Sequence, residues 1–544
     1  MADMLVPNHE NALVNQVDDM HRFRRFLCFG SENGTYYIPN DAGGQEDLGM
    51  QNVECIDRLL QAGRGQEVVR EIRSFSEAGR AVRQESSLFA LARCARCGDD
   101  GTKKLAYDSI DKICRIPTHL FQFVDLCEKM SNTPDGRPSR GWGRAHRRAI
   151  CNWYGKFGDK PLKFARLMTK YRKRRKWSNI DVLRLAHVKS DSIAVKVVVQ
   201  YIFKGLSEAA RVCDILENPP VDVVNTLGFL RAVEDVKSLG NNPDDVRRVC
   251  EAIRTHALVR EHVPTALHNS PEVWSVLLVN MPLTAMIRNL GKMASMGMLV
   301  ADSDATATVL RKLRSEDELR SARIHPFNVL VAMLTYQQGH GQQGTLSWSP
   351  NPDITSALED AFYMSIRYVD PTGKRFLIAI DVSSSMTSCV VGCNVLNARQ
   401  AAAALAVVTA CREQHCEIVG FSDKVVLIDV NPDMRLTEVT EAFANIDDGN
   451  TDCAAPISWA MREQKEFDVF IICTDSETGI GLIPPAHALR EYRHRSGIHR
   501  AKLVVCAFTS NGFTVADPQD RDMLDMAGFD SDGPAVINTF ITDM

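Results

Sequence analysis

Five oxygen-bearing residues in the C-terminal third of this 544-residue chain have the types and spacing to hold a hard cation. Asp381-Val-Ser383-Ser-Ser385 sets a carboxylate and two hydroxyls on one turn, Thr451 lies in Gly449-Asn450-Thr451-Asp452, and Asp475 follows in CTDSE. Such oxygens are the ligands that magnesium takes, with water or an outside oxygen completing the shell. A second chemistry lies far from them. Residues 137–176 carry fifteen Lys or Arg and one acid, Asp159, a net charge of +14 over 40 residues. That excess is more than solubility requires and suits a phosphate backbone. Arg137, Arg140 and Arg144 fall in a Gly-punctuated loop, GRPSRGWGRAHRR, with Arg147 and Arg148. Lys163, Lys170 and Arg174 stand 7 and 11 residues apart, nearly whole turns of the helix that PLKFARLMTKYRKRRKW predicts. They form one stripe there, with Ala165 and Met168 turned toward a core. Trp142, Trp153, Tyr154, Phe157, Tyr171 and Trp177 are interleaved with the charges, so unstacked bases are expected to rest on rings.

Each feature has an everyday alternative. Serines after a strand also cap helices, Tyr171-Arg-Lys-Arg-Arg-Lys176 also fits a nuclear localisation signal, and a lone His187 in LRLAHVKS is most simply a packed or capping residue. Catalysis is not expected. An aspartyl-phosphate phosphatase needs a second carboxylate two positions after Asp381, where Ser383 stands. The phosphate loop G-x-x-x-x-G-K-[ST] is absent, and Gly479-Ile-Gly481 alone is too weak for a dinucleotide. No Ser/His/Asp or Cys/His set stands out, and His415 beside Cys416 leads into a strand. The sixteen cysteines have neither disulfide-framework density nor paired zinc-site spacing, which suits a reducing compartment. The start of the chain lacks signal-peptide features, and the longest uncharged apolar run, 401–411, is too short to span a membrane.

The elements that must position these residues fall into two textures. Residues 370–544 hold 14 Lys+Arg against 25 Asp+Glu, net −11, and the remainder is net +7, so the two parts face different partners. From about residue 17 to 335 apolar residues recur at helical spacing. Val246, Val249, Cys250, Ile253 and Ala257 make one stripe, with Asn242-Pro243 as its N-cap and first-turn proline. Stretches 56–75, 87–94, 105–130, 181–203, 221–239, 273–298 and 305–313 read likewise, suggesting an α-solenoid without a strict period. A polar connector near Gly339 then leads to apolar strand-length runs at 375–381, 416–422, 467–475 and 501–510. Helical stretches at 397–414, 455–464 and 484–494 sit between them, predicting a parallel sheet covered on both faces with its ligands at the strand C-terminal ends.

Asp381, Ser383, Ser385, Thr451 and Asp475 together resemble the metal-ion-dependent adhesion site of von Willebrand factor type A domains, over residues 370–544. The resemblance implies one divalent cation, Mg2+, held directly or through water, with an acidic group from a protein partner completing its shell. Asn450 and Ser476 stand where family members often have glycine, which bears on affinity rather than on location. GWGRAHRRAI, KYRKRRKWSNIDVLRLAHVKS, PLTAMIRNLGKM and DVSSSM in combination resemble the Ro ribonucleoprotein family across essentially the whole chain. That implies an α-helical repeat domain of TROVE type over 1–369, a HEAT-like α-solenoid closed into a ring, plus an α/β von Willebrand A-like doubly wound domain over 370–544. It implies an RNA quality-control and Y RNA-stabilising protein, one chain in a ribonucleoprotein, cytoplasmic with a nuclear pool. Y RNAs would bind an outer surface through Lys170, Arg174 and His187. Single-stranded 3′ ends of misfolded RNAs, such as 5S rRNA precursors, would enter a positive hole lined by Arg288 and Lys292, spaced i, i+4 on one helix. Two other classes compete: a metal-dependent protein-interaction module with no RNA role, and a nuclease built on Asp381 and Asp475.

Overall fold

Apolar runs too short for helices and bounded by charged ends assemble into one sheet. In the computed structural model of this chain the described residues are 5–7, 13–15, 17–37, 53–81, 84–131, 142–341, 345–431, 434–446, 449–475, 483–509 and 515–543. The sheet's strands are β1 (Thr35–Tyr37), β2 (Arg375–Asp381), β3 (His415–Phe421), β4 (Val425–Ile428), β5 (Val469–Thr474), β6 (Lys502–Ala507) and β7 (Met523–Ala527). They lie in the order β4-β3-β2-β5-β6-β7-β1, every pair parallel except β4 against β3. Nearly every residue of β2, β5 and β6 is buried, as strands covered on both faces must be. The helix Ala398–Arg412 is capped by Asn397 through a capping box with Gln400 and buries nine of its fifteen residues. On the other face Leu377, Ala379, Phe470, Ile472 and Leu503 join Ile457, Leu489 and Tyr492 in one core.

From β2 the chain moves outward to β3, then returns to place β5 on the opposite side of β2. The crevice beyond the carboxyl ends of β2 and β5 is therefore the topological switch point, where open α/β sheets take their ligands. β1 comes from the other end of the chain, with Thr35, Tyr36 and Tyr37 facing Asp525, Met526 and Ala527. Arg25, on the helix Asp19–Phe29, secures this edge: its buried guanidinium donates to the carbonyls of Pro518 at 2.9 Å and Asp520 at 2.7 Å.

Packing divides the chain into two compact units, Met1–Cys55 with Pro282–Ser295 and Leu299–Met544, and Ile56–Met281 with Met296–Met298. Packing groups residues 299–369 with the sheet. Phe327, on the helix Pro326–Gln337, sits 5.5 Å from Phe529, and Tyr363, on the helix Pro352–Ile366, accepts the Leu436 N–H at 2.7 Å. The connector near Gly339 is folded as well: Trp348 N–H donates to the Gly339 carbonyl at 2.8 Å and its indole N–H to the Tyr336 carbonyl at 2.9 Å.

The second unit is helical. Its helix starts are written in the sequence by Asp99, Ser178, Ser192, Asn242 and Ser270, each accepting a first-turn backbone N–H. Trp153, Tyr154 and Phe164 are fully buried in it. An apolar side chain of that size contributes about 1.5–3 kcal/mol when buried. Among the described residues no helix is long and apolar enough to cross a membrane.

Candidate functional site

At the switch point the last residue of β2, Asp381, is fully buried. The chain then turns so that the Ser383 N–H donates to Asp381 Oδ1 at 2.9 Å, and Ser383 Oγ lies 2.9 Å from Ser385 Oγ. Thr451 Oγ1 donates to both carboxylate oxygens, at 3.3 and 3.2 Å, and Thr474 Oγ1, at the end of β5, donates to Oδ2 at 3.0 Å. Arg399 fixes the turn by donating to the Ser383 carbonyl at 3.1 Å. Gly449 lets the Thr451 loop approach, since a Cβ there would stand 2.9 Å from Ser422 Oγ. Ser383, Ser385 and Thr451 are thus gathered around Asp381, with Asp475 directly after β5. Thr474, not singled out in the sequence, belongs to the same cluster.

Burial pushes the Asp381 carboxyl above its ordinary range, and the negative charge of Asp475 adds to the push. Two carboxylates and several hydroxyls at one crevice form an oxygen-only donor set with charge to neutralise, which fits a hard divalent cation. Among the described residues no group of three or more His, Cys, Asp or Glu could hold a metal; three of the five residues here, Ser383, Ser385 and Thr451, offer hydroxyls.

The basic segment divides by partner. Arg137 and Arg140 lie outside the described residues. Arg144 begins the helix Arg144–Gly155 and is exposed, as are Arg147 and Arg148. On the helix Pro161–Lys170, Phe164, Ala165 and Met168 are buried and Lys163 is exposed, as expected. Arg166, three residues on, joins the Lys163–Lys170 stripe and was missed. Lys170 Nζ lies 3.5 Å from Glu261, an exposed pair that contributes little to stability.

Arg174 is not on this helix. The helix ends at Lys170, and Lys173–Arg174 pairs antiparallel with Trp177–Ser178. Buried Asn179 ends the helix by donating to the last-turn carbonyls of Tyr171 at 2.9 Å and Met168 at 3.3 Å. The five consecutive cations 172–176 would also repel one another along a helix. Arg174 remains exposed in the hairpin beside exposed Lys173, whereas Arg175 and Lys176 turn back to Asp125, at 3.3 and 3.8 Å. His187 closes the next helix, Asn179–Ala186, in the left-handed region at φ 55° with its ring exposed, so it caps and remains accessible.

The aromatic expectation fails for four rings: Trp153, Tyr154, Phe157 and Trp177 are core residues. They pack edge-on or stacked within the unit, as Trp153 does on Tyr154 and Phe157 on Phe164. Only Trp142 and Tyr171 are partly exposed.

Arg288 and Lys292 do not share a helix. Asn289 separates Leu283–Arg288 from Leu290–Ser295, its side-chain amide donating to the Ala285 carbonyl at 2.7 Å and diverting the backbone ladder. Both residues nevertheless line one cleft of about 720 Å3, with Arg323, His325, Tyr336 and Trp348.

Comparison with known proteins covers nearly the entire chain. The family model described as the TROVE domain matches residues 6–215 and 254–335, and the one described as the Ro60 vWA domain matches 375–541. The chain is 35% identical to the RNA-binding protein RO60 of Caenorhabditis elegans, over 99% of this chain and 90% of that protein. It is 32% identical to the RNA-binding protein RO60 of Deinococcus radiodurans, over 98% and 95% of the two. The crystal structure of the Deinococcus radiodurans RO (RSR) protein superposes with a TM-score of 0.82 at 31% identity, covering 96% of this chain and 99% of that one.

Proposed function

Because this chain belongs to the Ro60 family, with its TROVE and vWA domains, we propose that it binds RNA without cleaving it, holding Y RNAs on the surface formed by Lys163, Lys170, Arg174 and His187. The observation that carries this reading is a run of exposed cations with little to satisfy them. Among the described residues Arg144, Lys163, Lys173 and Arg174 are exposed and make no ion pair, while Lys170 has only a weak one. The opposite helix face is committed to the core by Phe164, Ala165 and Met168, so the charged face is left for a ligand. Phosphates of a structured RNA supply the counter-charge, and release of condensed ions drives the association. Arg288 and Lys292, in their separate cleft, would take single-stranded 3′ ends of misfolded RNAs, giving a role in RNA quality control.

The test is a gel shift with a Y RNA over a range of salt. Lys170→Glu with Arg174→Glu is expected to weaken binding at least about tenfold and to reduce the salt slope by about 1 for each phosphate no longer neutralised. Arg247→Glu, an equally exposed reversal elsewhere, is the control. Unchanged affinity at physiological salt would remove the reading. Labelled RNA incubated with the protein and Mg2+ should stay intact, and cleavage abolished by Asp381→Ala would replace this reading with that of a nuclease.

At the switch point the proposal includes a divalent cation, Mg2+, on Asp381, Ser383, Ser385, Thr451 and Asp475. When bound, such an ion supplies a Lewis-acidic contact for an acidic group on a protein partner. Binding of acidic peptides that requires Mg2+ and disappears with chelator tests this second contact separately from RNA.

A further inference from the structure

The N-terminus of the helix Arg144–Gly155 opens into a cleft of about 900 Å3 in the helical unit. Helix starts ordinarily satisfy their unpaired backbone N–H groups with a capping side chain and place acids in the first turn. This one does neither: Gly143 is its N-cap without a side-chain bond, no acid occupies the first turn, and Arg144 and Arg147 stand there instead, with Arg148 next. Gly143, Ala145, His146 and Arg148 from this turn all line the cleft.

A second observation points to a missing ligand. His146 is 4% exposed and its Nδ1 is buried without a hydrogen-bond partner. Trp142, 4.8 Å away edge-on, Tyr107 at 5.7 Å, and Phe123, stacked at 6.1 Å, surround the ring with aromatic groups. A buried polar atom left unpaired is costly, so a partner reaching it from the cleft would recover that cost.

The cleft wall sets the sign of the partner. Arg93 is committed to Asp57 through two N–H···O bonds of 2.6 Å. Arg96, Lys103, Lys104 and Arg148 also line it, and none is in an ion pair among the described residues, against the remaining acids Asp100 and Asp108. Burial and the charge of Arg96 hold the His146 imidazole neutral, down at about 4, so at neutral pH it can offer one N–H.

We propose that this cleft is a phosphate-binding site, in which the first-turn N–H groups of the helix Arg144–Gly155, the His146 ring and the Arg148 and Lys104 side chains receive the anion. The phosphate belongs either to a free mononucleotide or to a chain-borne nucleotide of RNA, and the cleft volume is that of a small-ligand site. The assignment does not rest on the Lys163–Arg174 surface and survives its failure.

The experiment titrates the full-length chain with inorganic phosphate and with AMP, by calorimetry and by the His146 ring signals in NMR. RNA affinity is measured in parallel. Saturable binding of phosphate or AMP, weakened at least about tenfold by Lys104→Glu with Arg148→Glu, supports a free-ligand site when RNA affinity is unchanged. A loss of RNA affinity in the same variant that Lys170→Glu does not reproduce in kind supports the RNA-borne phosphate. His146→Phe tests the ring, and the two surface reversals stand in for it should that variant not fold. No saturable binding of either small ligand, no movement of the His146 signals and unaltered RNA affinity would together overturn the proposal.

Discussion

The same residue type does opposite work at neighbouring positions, and burial and partners decide which. Arg175 and Lys176 are directed to Asp125, a carboxylate only 3% exposed, while Lys173 and Arg174 face outward. Reversing Arg174 should therefore lower RNA affinity and leave stability nearly unchanged. Arg175→Ala, by contrast, takes one of three cations from a buried carboxylate that keeps Lys129 and Lys176, and should cost stability, about 0.5–1.5 kcal/mol in urea denaturation. Trp153 makes a similar point: fully buried, it donates its indole N–H to the Cys114 carbonyl at 2.5 Å. Trp153→Ala is expected to lower unfolding free energy by about 3–5 kcal/mol, whereas a base-stacking role would leave stability intact. At Asp381 the expected outcome is a Mg2+-dependent rise in melting temperature, following mass action. Asp381→Ala should abolish that rise, and a Mg2+ response equal in the two proteins would exclude the cation site.

At the scale of elements, Lys173, Arg174 and Arg288 are placed by helix ends, whereas Lys163 and Lys170 lie along a helix. Asn179 ends the helix Pro161–Lys170 and so creates the hairpin that carries Lys173 and Arg174; Asn289 splits the Arg288–Lys292 segment. In each case a side-chain amide outcompetes the next backbone hydrogen bond. Asn179→Ala removes two bonds to carbonyls that then stay unsatisfied, and about 1–3 kcal/mol of stability should go with them. Because the hairpin loosens too, Y RNA affinity should fall in the same variant although Asn179 is buried. A gel shift that does not change alongside a lower urea midpoint would detach the hairpin from RNA binding.

Across the whole molecule, residues far apart in sequence complete one another. The edge strand β1 comes from residues 35–37 and pairs with Asp525–Ala527. Asp525 itself is buried there, accepting the Ala516 N–H at 3.1 Å, and burial pushes its carboxyl up to about 8. Its unfolded value is about 4, so between those limits the folded chain holds a proton that the unfolded chain has released. The stability this residue contributes is present in full below pH about 4 and is lost as pH rises through 8, with a slope of at most roughly 1.4 kcal/mol per pH unit. Asp525→Asn keeps the Ala516 contact and removes the titration. Urea unfolding from pH 5 to 9 should then show a flatter profile for the variant and greater stability at the alkaline end; parallel profiles would contradict the assignment.

Periodicity, charge and a few fixed spacings were enough to determine the mixed fold class, the run 375–381 as β2 and the helix cap Asn242. These are local signals, since a continuous apolar strand or a capping asparagine is defined by neighbours a few residues away. The stretches 105–130 and 273–298 read as single helices yet are broken, at Pro117 and Pro282, which cannot continue a helix, and at Ser109 and Asn289, whose side chains bond the Leu105 and Ala285 carbonyls. Only tertiary structure decided that Trp153, Tyr154, Phe157 and Trp177 belong to the core, that Arg175 and Lys176 are committed to Asp125, and that residues 35–37 extend the sheet. The five oxygen residues were recognisable one by one from their spacing. Their gathering around Asp381 follows from β2 and β5 being neighbours at the point where the strand order reverses. Strand order depends on which apolar faces bury each other across long separations, and no local window of sequence contains that information.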